Sequence, residues 1–247
     1  MTSADEGGGL IYAIDRSSQK LVVVDPKTNA VTVAIPLAAS PDYVRYVSTN
    51  AEVWVTQPDK EQIEVFSVGD SAKAPKSSTI ISVPGGPESL IIDHIRKRAY
   101  THLWKGETVA ISLETRKVVA KWANGCSASR GIALDERRGL LFSGCGEGKA
   151  VVVDVSTGKE VSHLTVGPGV DVIDFNDELQ HLYVPSARSA ELAILGVNRR
   201  GGLKLLGKEK TALGAHCVTA DSMGQAYVCL PHTGAILVVR DLWPRAQ

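Results

Sequence analysis

Apolar residues in this chain fall into short runs, each bounded by a polar turn, and the runs recur along its whole length. "LIYAID" is followed by "KLVVVD" and then by "AVTVAIPL"; "LLFSGC" is followed by "AVVVDVS" and "KEVSHLTVG". Valine, isoleucine and aromatics dominate the runs, while Gly, Asp, Asn, Ser and Pro fill the gaps, which is the composition of strands and hairpin turns. Helical periodicity is almost absent. Many runs are apolar at consecutive positions, as expected of strands covered on both faces.

The runs also repeat as a set. Tyr12 in "IYAID", Trp54 in "VWVTQ", Tyr100 in "AYTHL", Phe142 in "LFSGC", Tyr183 in "LYVPS" and Tyr227 in "AYVCL" are separated by 42, 46, 42, 41 and 44 residues. A period of about 40–45 residues, with room for four strands, is that of one β-propeller blade. The pattern predicts an all-β propeller of six blades, each of four antiparallel strands named A to D from the inside outward, with the aromatic on B. The first repeat has no evident A strand and the last has no D, which leaves about 22 of the 24 strands. A single propeller domain is expected over 10–247, with 1–9 disordered or closing the seam. An open seam exposes strand edges, which tend to pair, so a homodimer through it is an expected partner.

Composition narrows the function classes. Lys plus Arg (27) balance Asp plus Glu (27), with no basic stripe, which argues against a nucleic-acid partner. No apolar run approaches the roughly 18 residues of a membrane span. The start, "MTSADEGGG", is polar and acidic and is not a signal peptide as it stands. Four cysteines suit either a reduced protein or an exported one with one or two bridges.

The stretch "LLFSGCGEGKAVVVDVSTGKEVSHLTVGPGVDVIDF" resembles the YVTN-type β-propeller repeats of bacteria and archaea, with weaker matches over nearly the whole chain. The resemblance implies a propeller whose relatives include lactonase-like hydrolases and surface-layer proteins, and similar propellers are often exported. Hydrolase propellers of the wider group hold calcium or zinc through Glu, Asp and Asn at the inner strands. Here acidic residues stand at those places without a matching set of asparagines.

Propeller ligands usually bind where the D–A and B–C loops converge on one face. Counting back from the residue that closes each A strand (Asp93, Asp135, Phe175, Asp221) places Glu88, Arg130, Val170 and His216 at its start, and "PDYVRYV" adds Asp42. One residue later come Ser89, Gly131, Asp171 and Cys217. The axial candidates are therefore Asp42, Glu88, Arg130, Asp171 and His216. The B–C loops add Asp15, Arg16, Asp59, His102, Lys105 and His232, and Trp104 offers an apolar wall. Acids, a base and a histidine in one funnel suit a divalent cation (calcium or zinc, on Asp42, Glu88 and His216) and activation of water. Glu88, Arg130, Asp171 and His216 are the catalytic candidates; Asp42, Arg16, His102, Trp104 and His232 are the ligand-binding ones. The bland reading is a wet, polar loop face. His94 and His163 read as surface residues, and His181 as unpromising.

"GAHCVTADSMGQAYVCLPH" has the spacing of a zinc knuckle, but hairpin geometry produces the same spacing, with Cys217 opposite Cys229. Cys126 and Cys145 flank the equivalent hairpin of the fourth repeat. Each pair is open to three readings: buried thiols, a cross-strand disulfide, or metal ligands. No Walker A, G-x-S-x-G or C-x2-C-H motif is present. Two functions follow: a hydrolase of ester, lactone or phosphoester bonds acting on a small molecule, or a non-catalytic propeller that binds a small ligand or protein.

Overall fold

In the computed structural model, which describes residues 3–69 and 74–246, the chain forms an all-β, six-bladed propeller. The first blade contains β1 (Ser3–Gly7), β2 (Leu10–Asp15), β3 (Lys20–Asp25) and β4 (Ala30–Pro36). The second contains β5 (Val44–Val47), β6 (Glu52–Gln57), β7 (Gln62–Ser67) and β8 (Lys76–Ser82). The third contains β9 (Ile91–Asp93), β10 (Arg98–Leu103), β11 (Glu107–Ser112) and β12 (Val118–Ala123). β13 (Ser129–Asp135), β14 (Leu140–Cys145), β15 (Lys149–Asp154) and β16 (Lys159–Thr165) form the fourth. β17 (Asp174–Asn176), β18 (His181–Ser186), β19 (Glu191–Val197) and β20 (Leu203–Lys210) form the fifth, and β21 (Val218–Ala220), β22 (Gln225–Leu230) and β23 (Ala235–Arg240) the sixth. Strands are hydrogen-bonded to their sequence neighbours in every blade. The sixth has three strands, as its sequence predicts.

The recurring aromatic is the third residue of each six-residue B strand. Tyr12, Trp54, Tyr100, Phe142 and Tyr183 are buried, and Tyr227 is half-buried. Their cross-strand partners on the C strands are Val23, Val65, Val152, Ile194 and Val238 in the first, second, fourth, fifth and sixth blades. Large rings opposite β-branched residues are stabilising pairs on a pleated surface. The outer strands β4, β8, β12 and β16 are largely exposed.

One expectation changes. The first blade does have an inner strand: β1 pairs with β2 from Ser3↔Ile14 to Gly7↔Leu10. Its sequence, "SADEG", has no apolar pattern, because polar contacts hold it. Asp5 Oδ2 accepts from Tyr46 N–H (2.7 Å) and Ser3 Oγ from Val44 N–H (3.3 Å), tying β1 to the second blade. Of the expected 1–9 segment, residues 1 and 2 lie outside the described residues.

The chain forms two compact units: Met1–Trp104 with Val109–Lys121, and Lys105–Thr108 with Trp122–Gln247. In the first, Tyr12, Leu21 and Val23 pack on Val44, Val53 and Val55. In the second, Phe142 and Val152 pack on Leu182, Val184 and Leu195, and Tyr183, Leu192 and Ile194 pack on Val218 and Val228.

Candidate functional site

In the third to sixth blades the A–B turn is closed by a side chain that accepts a backbone N–H, whereas in the second the Val47 carbonyl accepts from Asn50 N–H (3.2 Å). Asp93 Oδ1 accepts from Arg96 N–H (2.8 Å), Asp135 Oδ1 from Arg138 N–H (2.9 Å), and Asp221 Oδ1 from Met223 and Gln225 N–H (2.9 Å each). In the fifth blade the closing residue is Asn176, whose Oδ1 accepts from Leu179 N–H (2.8 Å) and which pairs with His181. The choice of Phe175 is thereby corrected by one residue. Counting back five from Val47, Asp93, Asp135, Asn176 and Asp221 now gives Asp42, Glu88, Arg130, Asp171 and His216 directly. All five occupy equivalent positions in successive blades.

In the first unit, Asp42 and Glu88 are both buried. The Asp42 carboxylate is ion-paired with Arg16, whose Nε also donates to Pro41 O (3.2 Å). Arg16 and Asp42 therefore do come together, and the guanidinium supplies positive charge that a metal ion at Asp42 would otherwise bring. Glu88 N–H donates to His102 O (2.8 Å), and His102 N–H to Ser89 Oγ (3.2 Å). His102 is fully buried, while Trp104 is exposed. Asp59 is exposed. Hydrogen bonds from the Ser17 and Ser18 hydroxyls hold the Asp15 carboxyl at about 2, so Asp15 serves its own turn.

In the second unit, Arg130, Asp171 and His216 are half-buried and lie on three backbone segments in direct contact. A Cβ on Gly131 would overlap the Asp171 carbonyl, so only glycine lets these segments approach. Val172 N–H donates to the His216 carbonyl at 2.9 Å. The three residues thus stand in order on adjacent backbone segments: Arg130, Asp171, His216.

The segments of Arg130 and His216 are held from behind. The disulfide Cys126–Cys145 closes the loop before β13. Asn124, fully buried, donates to Glu107 O and Thr108 Oγ1 (3.1 Å each) and accepts from Ser129 Oγ (3.0 Å) and Cys126 N–H (3.2 Å). Glu147 accepts from Ser127 and Ala128 N–H (2.8 and 3.1 Å). Burial pushes the Glu147 carboxyl up, but these hydrogen bonds outweigh it and hold it below its ordinary range.

In the sixth blade a second disulfide, Cys217–Cys229, follows His216 immediately. Both cysteine pairs are disulfides, one of the three readings the sequence allowed. His216 Nδ1 lies 2.7 Å from Gly214 O. A carbonyl only accepts, so Nδ1 carries the proton and Nε2 is the basic nitrogen. Gly214, at φ +83°, leaves space that a Cβ would fill 2.6 Å from His232 Nε2. The hairpin therefore does bring both histidines to one residue, with His232 exposed. Lys105 is exposed as well.

His94 and His163 are on the surface. His181 is not: it is fully buried, with Asp241 Oδ2 at 2.7 Å. Sequence reasoning also missed Asn124 and Glu147. "NGC" before the A strand and "GEGK" within the hairpin are the only traces of them. A groove of about 500 Å³ in the first unit, lined by Thr79–Ser82 and Thr115–Val118, contains none of the candidates.

No known family and no curated protein matches the sequence. Solved structures match its fold. A chain of Kuenenia stuttgartiensis hydrazine synthase superposes with a TM-score of 0.67 at 12% identity, over 98% of this chain and 95% of that one. A 6-phosphogluconolactonase-like protein of Bacteroides uniformis superposes with a TM-score of 0.75 at 14% identity, over 85% of this chain and 71% of that one. At such identities the likeness is one of fold.

Proposed function

We propose that the chain is a hydrolase of ester, lactone or phosphoester bonds in a small-molecule substrate, working at the inner-strand starts. The observation that carries this reading is that Arg130, Asp171 and His216 lie on adjacent backbone segments in the second unit, a row in that order. In the proposal, His216 Nε2 takes a proton from attacking water, Asp171 orients the substrate, and Arg130 stabilises the charge that develops on the carbonyl or phosphoryl oxygen. Glu88, Asp42 and Arg16 in the first unit, with His102, Trp104 and His232, are the proposed ligand contacts. The lactonase-like structural neighbour adds support at the level of fold.

The calcium or zinc ion expected from the sequence, on Glu88 and Asp42 in the first unit or on His216 in the second, is a separate element of this reading, with Arg16 competing for Asp42. It would supply Lewis-acid polarisation of the scissile group. Two disulfides favour an oxidising compartment. The outer edge of β23 has no strand partner among the described residues, and a homodimer through that edge is a further part of the proposal, tested by sedimentation.

The test is a panel of lactones, esters and phosphoesters with parallel elemental analysis. His216→Gln should lower kcat/KM by about 10²–10⁴-fold, and Arg130→Gln by about 10²–10³-fold, with unchanged melting curves. A wild-type protein that leaves the whole panel intact overturns the hydrolase in favour of a non-catalytic binder. If stoichiometric metal is absent, or survives both Glu88→Gln and His216→Gln, the metal element alone falls.

A further inference from the structure

The two disulfides occupy equivalent places in the fourth and sixth blades, yet their surroundings differ. Only at Cys126–Cys145, among the described residues, does a third potential metal donor share the position: both sulfurs and the Glu147 carboxylate lie within 4.8 Å of one another. That carboxylate is not held there by the disulfide. Ser127 and Ala128, the two residues after Cys126, fix it through their N–H groups (2.8 and 3.1 Å), and it sits two residues beyond Cys145 in the β14–β15 hairpin.

Lys149 Nζ is held by the Gly125 carbonyl and lies 3.9 Å from Glu147 Oε1. Val151, Val153 and Trp122 back the sulfurs with apolar surface, whereas Glu147 faces solvent and gives access. We propose that reduction of Cys126–Cys145 creates a redox-gated site for a thiophilic divalent cation, with Cys126 Sγ, Cys145 Sγ and a Glu147 oxygen as ligands and a water completing a tetrahedron.

The charges balance. Two thiolates and one carboxylate carry three negative charges, and the cation with the Lys149 ammonium carries three positive ones. The chemistry needs an external dithiol. One of its thiolates attacks a sulfur of the pair and expels the other cysteine as thiolate. Its second thiol then resolves the mixed disulfide, leaving a cyclic disulfide and two protein thiols, a two-electron reduction. Cation binding displaces the two thiol protons. In the oxidised chain the sulfurs are bonded to each other and the site is closed. This inference concerns a different set of atoms from the proposed hydrolytic row and stands or falls apart from it.

The experiment uses the full chain, reduced with dithiothreitol, desalted anaerobically and titrated with Cd²⁺, whose thiolate charge-transfer absorption reports sulfur ligation. The expected result is one equivalent bound at micromolar Cd²⁺ in the reduced protein and none in the oxidised one. Cys217→Ser/Cys229→Ser should keep that equivalent. Glu147→Gln should weaken it about tenfold or more while the charge-transfer band remains. Cys126→Ser/Cys145→Ser should abolish it, with a circular dichroism spectrum checking the fold. Absence of Cd²⁺ binding after verified reduction overturns the proposal. So does binding that follows Cys217 and Cys229, or an affinity indifferent to Glu147→Gln.

Discussion

The Gly214 carbonyl takes a hydrogen bond from His216 Nδ1, whereas His181 meets an acceptor at each ring nitrogen: Asp241 Oδ2 at 2.7 Å and Pro244 O at 3.1 Å. The first arrangement engages one ring nitrogen with a carbonyl; the second engages both. Asp241 also accepts from Tyr183 Oη (2.7 Å) and Trp243 N–H (2.9 Å), so a buried triad fastens residues 241–244 to the fifth blade. Burial pushes the Asp241 carboxyl up, but the hydrogen bonds from His181, Tyr183 and Trp243 outweigh it and hold it below the ordinary range. A carboxyl lowered in the folded state adds stability above its unfolded value, about 3.9, and loses it as pH falls through the folded value. Asp241→Asn should therefore cost about 3 kcal/mol at pH 7, as for one partner removed from a buried pair. In urea denaturation that difference should shrink towards pH 3; an equal loss at both pH values would remove the carboxylate charge as its cause. From the sequence His181 reads as unpromising, because its partner is 60 residues away.

Strands were the most legible level. The aromatic at the third B position fell where the period placed it in all six blades, and in five of them a large ring opposite a β-branched residue is the same packing solution. Depth of burial then sets what each ring contributes. Phe142 is fully buried, tilted against Phe175 at 4.8 Å between centroids, and Phe142→Ala should cost about 3–5 kcal/mol. Tyr227 is half-buried, with its hydroxyl 3.1 Å from Asp221 Oδ2, so Tyr227→Ala should cost clearly less, and paired thermal denaturations check the order. Elements held by polar contacts were less legible. β1 has no apolar period and depends on Asp5 and Ser3 bonding to the second blade. The fifth inner strand slipped by one residue because asparagine performs the turn-closing role taken elsewhere by aspartate. Once Asn176 is recognised, Asp171 takes the aligned position without special treatment. The supports of the row were illegible for a different reason: Asn124 reaches Thr108 and Ser129 across a turn that no local pattern encodes.

At the scale of the molecule the two units differ in how they are held. Both disulfides, Cys126–Cys145 and Cys217–Cys229, belong to the second unit, and the first has none among its described residues. The first is tied between its blades by an ion pair instead. Glu52 is buried, receives the Arg116 guanidinium on both oxygens and accepts from Trp54 Nε1 (2.9 Å), while Asn50 Nδ2 donates to Leu113 O (2.7 Å). Closing loops of 19 and 12 residues restricts the unfolded chain by about 3 kcal/mol each in the chain-entropy view. Reduction should therefore loosen the second unit selectively. Hydrogen exchange on the dithiol-treated chain should speed up in β13–β14 and β21–β22 and stay unchanged in β2–β3 and β6–β7. Glu52→Gln should give the reverse pattern, because it leaves the Arg116 charge without its partner in the first unit only. Since Arg130 lies in β13 and His216 just before β21, both beside these disulfides, the row should lose its geometry along with the exchange protection of β13 and β21. Activity and protection should then fall together as reductant is added. Protection lost in both units at once would mean that the two respond as one cooperative block, and the selective role given to the disulfides would be wrong.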